Sequence, residues 1–169
     1  MQQSVFRGYV QISKTMENVK KIYIGGSSAG GYISQMLCFD SKYLGKHNLK
    51  PMDFGGFIHD AGQPTVHFNI LKERGLDTRR IVVDESAMLY HIGTGTEYPP
   101  MLFIVSDGDM ENRYEQTMLV ISTMKHFQYK APDLKVMNGS HCEYVTKIDE
   151  NGDSVLGQIV MEYIGKIET

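Results

Sequence analysis

The chain has 169 residues, 41% of them apolar and 22% charged, with a formal net charge of -3 and a pI of about 6.1. That is the composition of a soluble globular protein and the length of one domain, residues 1–169, with enough chain to bury a core. No run of Lys or Arg offers a phosphate-binding stripe and no apolar segment has membrane-spanning length, so neither nucleic acid nor a membrane is expected as a partner.

Taken in chain order, Val5, Tyr9, Ile12, Met16 and Val19 recur at three- and four-residue steps and predict an amphipathic helix over residues 3–19. Lys21 to Gly25 reads as a short buried strand, followed by a helix from Ala29 to Phe39 with Ile33, Met36 and Leu37 facing inward. Phe54 to His59 is the next predicted strand, and Val66 to Arg74 a helix closed by Gly75. Met101 to Val105 is the clearest buried strand, entered through Pro99 and Pro100. A long helix carrying Tyr114, Met118, Ile121 and Met124 follows it, then a fourth strand from Leu134 to Met137. Leu156, Ile159, Val160, Tyr163 and Ile167 mark the closing helix, with Asp153 or Ser154 as its N-cap. Strands alternating with helices predict an α/β fold: three layers, with a mostly parallel sheet of about four strands.

The neighbouring Asp149-Glu150-Asn151-Gly152-Asp153 resembles a calcium loop only superficially. Ser154 stands where such a loop needs glycine and Val160 where it needs a bidentate Glu, so a turn and helix cap are expected. Met118, Met124 and Met137 read as core packing. Cys38 and Cys142 have no C-x-x-C partner and read as unpaired thiols, as in the cytoplasm.

The strongest chemical motif is Gly26-Ser27-Ser28-Ala29-Gly30, a G-x-S-x-G pattern between a predicted strand and a predicted helix. A tight turn there lifts the Ser28 hydroxyl above the strand ends. A side chain at Gly26 or Gly30 is expected to crowd that turn, and the Ala29 amide to face a developing oxyanion. On its own the pattern equally describes a Gly/Ser turn capping a helix; the strand-turn-helix context favours the nucleophile. Asp109 follows the strand ending at Val105, with Asp107 as its competitor, and His141 follows the strand ending at Met137. Nucleophile, acid and base thus come in one order, each at the carboxyl end of a predicted strand, where α/β sheets place their sites.

Ile24-Gly25-Gly26-Ser27-Ser28-Ala29-Gly30-Gly31 resembles the nucleophile elbow of carboxylesterases of the α/β-hydrolase superfamily, in its hormone-sensitive-lipase-like and acetyl- or feruloyl-esterase-like branches. Pro99 through Asp109 is similar to their acid-bearing strand and loop, and Gly139-Ser140-His141 to their histidine loop. Laying Tyr114-Glu115-Gln116 on the helix that follows puts the acid at Asp109. Asp84 through Ile92 resembles the stretch before their acid strand, with Ala87 where proline is common. The family carries further strands and a His-Gly-Gly loop before the elbow, whereas 25 residues precede Gly26 and hold no such motif. The chain therefore reads as the C-terminal portion of that fold.

The resemblance implies a serine esterase acting on a small-molecule ester, with Ser28 as nucleophile, His141 as base and Asp109 as orienting acid. No metal or organic cofactor is expected. Two other readings stay open: a crippled hydrolase-like fragment without an oxyanion hole, and a peptidase or acyltransferase on the same scaffold. The first strand, with no earlier strand to pair with, is expected to recruit a second copy in a homo-oligomer.

Overall fold

Strands buried on both faces must carry apolar side chains at consecutive positions, and that pattern sets the architecture here. The computed structural model describes residues 20–169; the predicted helix over residues 3–19 lies outside them. Strands β1 (Tyr23–Ser27), β2 (Gly56–Asp60), β3 (Met101–Gly108) and β4 (Asp133–Ser140) form one sheet in that order, every neighbouring pair parallel. Helices α1 (Ala29–Phe39), α2 (Ser41–Gly45), α3 (Phe68–Glu73), α4 (Met88–His91), α5 (Arg113–His126) and α6 (Val155–Glu168) lie between and after the strands.

Alternate strand residues feed two cores. Phe57, Met101 and Phe103 point to one face, against Met36, Leu37 and Phe39 of α1, Met88 of α4, and Val120 and Met124 of α5. Ile58, Leu102 and Ile104 point to the other, against Ile159 and Tyr163 of α6 and Tyr144. The result is three layers with the sheet in the middle. Ser154 is the N-cap of α6, its side chain accepting from the Gly157 amide, and the acidic turn before it closes on Asp149, whose Oδ1 accepts from the Asn151 and Asp153 amides.

Two predictions of local structure need correction. The strands of the acid and the base are longer than expected, because both continue past the buried core toward the site. The inward face of α5 is Arg113, Gln116, Thr117, Val120 and Met124, whereas Met118 is exposed and Tyr114 and Ile121 are half-buried. The first turns of α5 cover polar backbone at the end of β2: Arg113 Nη1 donates to the Ala61 carbonyl, and Thr65 Oγ1 donates to Gln116 Oε1 at 3.3 Å. Inward positions there are polar, so the apolar periodicity reports the wrong phase.

His59 lies in the aromatic core, its ring centroid 4.8 Å from that of Phe103 and its Nδ1 2.9 Å from Ser34 Oγ. Burial lowers its pKa from 6.5 to about 3, so the imidazole is neutral when folded. The unfolded chain takes up the extra proton, so this stability is fully present above pH 6.5 and is lost as pH falls toward 3. The denaturation midpoint should therefore drop between pH 7 and pH 4, and the drop should be smaller in His59→Leu. Identical pH dependence in the two proteins would show that His59 does not couple protons to folding.

Candidate active site

The turn after β1 is held in a conformation that few side chains accept. Ser28 has φ 56° and ψ -113°, and strain of this kind persists only where surrounding contacts over-determine it. Its amide donates to the Asp60 carbonyl at 2.9 Å, while its own carbonyl accepts from Tyr32 N at 3.0 Å. The glycines make the close approach possible. A Cβ on Gly26 would stand 2.7 Å from the Gly30 carbonyl carbon, and one on Gly31 would stand 2.2 Å from the Asp60 oxygen. Gly30 was expected to be crowded in the same way, but a Cβ there meets nothing within 4 Å among the described residues. The clash falls one residue later because Gly31 is the helix position that faces β2.

The turn aims the Ser28 hydroxyl at an imidazole. Ser28 Oγ lies 2.8 Å from His141 Nε2, and His141 Nδ1 lies 2.6 Å from Asp109 Oδ1. With the proton on Nδ1, the imidazole donates to Asp109 and accepts from Ser28. The Asp109 side chain is 1% exposed and that of His141 24%, so the acid is dry while the base still reaches solvent. Asp109 also accepts from the Met110 amide at 2.7 Å and the Ser106 amide at 3.4 Å. The Ala29 amide, in the first turn of α1, has no acceptor among the described residues, as the first amides of a helix have no intrahelical partner.

Asp107, the rival acid, does a different job. It is exposed, and its Oδ1 accepts from Gly139 N at 3.0 Å, at a bulge where β4 carries one residue more than β3. Gly139 takes φ 116° there, which suits a residue without a Cβ. The bulge ends β4 so that His141 turns back over the sheet toward Ser28.

Asp60 is the residue that sequence reasoning missed. It is 1% exposed and accepts from Ser27 Oγ through Oδ2 and from Tyr144 OH through Oδ1. Burial raises its pKa, opposed by those two hydrogen bonds. One side chain thus joins the residue before Ser28 to the short 3-10 turn after His141. The available signal was an aspartate ending an otherwise apolar strand. Cys142 Sγ lies 3.6 Å from His141 Nε2, but burial, with help from Asp60 and Asp109, pushes its thiol up to about 11, so it stays protonated beside the base. No group of three or more His, Cys, Asp or Glu among the described residues is arranged to hold a metal ion.

No protein-family model and no curated protein matches this sequence. Solved structures do match by shape. An acylaminoacyl peptidase from Pyrococcus horikoshii aligns with 97% of this chain and 27% of its own, at TM-score 0.67 and 15% identity. The propionate-bound esterase Est2 from Thermogutta terrifontis covers 86% of this chain and 56% of its own, at TM-score 0.59 and 16% identity. This is an α/β-hydrolase fold. An S-formylglutathione hydrolase from Staphylococcus aureus aligns with 98% of the chain and 59% of its own, at TM-score 0.61 and 14% identity. The chain therefore spans between about a quarter and three fifths of these α/β-hydrolase structures.

The two glycines after Ser28 should respond oppositely to one added methyl group. Gly30→Ala is expected to leave thermal stability unchanged or raise it, since Ala is favoured over Gly in a helix by about 1 kcal/mol. Gly31→Ala is expected to lower the midpoint of thermal unfolding by several degrees, because backbone must move to admit it. Equal effects in a calorimeter would refute this account of the turn.

Proposed function

We propose that the chain carries the site of a serine hydrolase that cleaves carboxylic esters of small molecules. The observation that supports this most directly is the unbroken hydrogen-bonded path from Ser28 Oγ through His141 to the buried Asp109 carboxylate. In this reading His141 takes the Ser28 proton as Ser28 attacks the ester carbonyl, and the Ala29 amide donates to the oxyanion. Asp109 holds the ring and supports the imidazolium charge. His141 then returns the proton to the leaving alcohol, and water, activated by the same base, releases the acyl group and restores Ser28. The esterases among the structural neighbours support an ester substrate, and the acylaminoacyl peptidase among them supports the amide alternative. Two unpaired thiols, Cys38 and Cys142, fit a reducing compartment such as the cytoplasm. No helix among the described residues is long and apolar enough to cross a membrane.

Ser28→Ala should abolish hydrolysis of p-nitrophenyl esters and labelling by a fluorophosphonate, with thermal stability nearly unchanged. Losses of several orders of magnitude are typical when a relay of this kind is broken. Retention of activity within about tenfold of the parent, against that benchmark, would remove Ser28 as nucleophile. Failure of the unaltered chain to react with the fluorophosphonate would favour the crippled fragment, and faster turnover of aminoacyl amides would favour a peptidase. Asp109→Asn should be far more damaging than Asp107→Asn, because Asp109 alone contacts the imidazole; the reverse ranking would reassign the acid.

Among the described residues β1 pairs only with β2, leaving the other side of this edge strand as the surface for association. A two-fold dimer joined near β1 is the expected assembly, and sedimentation equilibrium giving a monomer at micromolar concentration would exclude it.

A further inference from the structure

Beside the relay lies a buried guanidinium that forms no ion pair. Arg113, the first residue of α5, is 5% exposed. Its Nη1 donates to the Ala61 carbonyl, and its Nη2 lies 3.5 Å from Gln63 Oε1 and 4.0 Å from Met110 Sδ. Among the described residues it forms no ion pair. The neighbouring acid, Asp109, favours the charged guanidinium electrostatically, but its oxygens hydrogen-bond to His141 and the Met110 amide and do not pair with Arg113. Neutral acceptors satisfy the N–H groups but do not cancel the charge, and a guanidinium held out of water is costly until an anion joins it. Burial accordingly lowers the Arg113 pKa, with Asp109 acting in the opposite sense.

Arg113 lines a cavity of about 270 Å³, together with Gln63, Phe68, Arg79, Arg80 and Met110. Arg79 is paired with Asp77 at 2.6 Å, but Arg80 has no ion pair among the described residues. Glu111 is the acid in the lining, which therefore carries two guanidinium groups without an ion pair and one carboxylate. Two chain connections link the cavity to the relay. Met110 directly follows Asp109. Asp60, whose carbonyl accepts the Ser28 amide at 2.9 Å, directly precedes Ala61, whose carbonyl holds Arg113.

The geometry points to an ester that itself carries a free carboxylate. Arg113 forms the fixed cationic floor of its subsite, Arg80 the rim, and Phe68 an apolar wall. This reading rests on the esterase assignment of the same site and names its substrate class: either a half-ester of a short dicarboxylic acid, charged on the acyl side, or an ester whose alcohol bears the carboxylate. Guanidinium is suited to the task because its planar fork matches a carboxylate with two parallel hydrogen bonds. The competing account is that Arg113 is only a strut between α5 and the end of β2.

Binding and turnover separate these possibilities. Isothermal titration of Ser28→Ala with monomethyl succinate and with dimethyl succinate should show the half-ester bound at least about tenfold more tightly, the worth of one charge-assisted contact. Adding Arg80→Ala or Arg113→Gln should narrow that ratio; Arg80 is exposed, so its variant serves even if loss of Arg113 unfolds the chain. Equal binding of the two esters, or a ratio unmoved by Arg80→Ala and by a folded Arg113→Gln, would overturn the proposal and leave Arg113 a strut. In the unaltered chain, preference for monomethyl over dimethyl succinate places the charge on the acyl side, and preference for 4-acetoxybenzoate over phenyl acetate places it on the alcohol side. Turnover of all four esters without charge preference would also overturn it. If none is turned over but the half-ester still binds selectively, the anion site stands and the esterase reading falls.

Discussion

The carbonyl of Asp60 is where the sheet meets the site. It accepts the Ser28 amide at 2.9 Å, and this one bond holds the strained turn at the end of β1 against the end of β2. The approach is so close that Gly31 must lack a side chain. The Asp60 side chain reinforces the junction from below, joining Ser27 on β1 to Tyr144 after β4. Without it the positions of Ser28 and His141 would be set by two independent loops.

Two buried acids sit close together and are put to different uses. Asp60 takes donors that hold the backbone frame, and burial raises its pKa. Asp109 takes the imidazole together with two backbone amides, so its carboxylate faces donors on every side that matters for orienting His141. The difference follows from position. Asp60 ends a central strand and points into the core shared with α6, whereas Asp109 lies just past β3 and turns back over the strand ends.

Much of the scaffold was legible in the sequence because it is written in local pattern. The apolar runs gave the four strands in order, the Gly-rich turn placed Ser28 between a strand and a helix, and the order of Ser28, Asp109 and His141 followed the strand ends. What local pattern could not carry was tertiary. The inward phase of α5 is set by the carbonyls it covers, so its buried positions include Arg113 and Gln116 where apolar residues were sought. The choice of Gly31 over Gly30 depends on which helix position faces β2, and the bulge that turns His141 inward depends on Asp107 reaching across to Gly139. Asp60 looked like the end of a strand and nothing more, because both its partners come from outside its own element.

The hydrogen bond between Ser28 and His141 joins residues 113 positions apart, and the bridge from Tyr144 to Asp60 spans 84. Contacts of such long range form late, since the intervening loop must be closed before they repay its entropy. During synthesis β1 leaves the ribosome long before β4 does, and until β4 docks, Ser28 has no imidazole beside it and Asp60 no phenol to bind it. The nascent chain therefore exposes the Ser28 hydroxyl without its hydrogen bond to an imidazole. On the proposed function, reactivity would arrive together with β4, so docking of that strand and activation of Ser28 would be a single event.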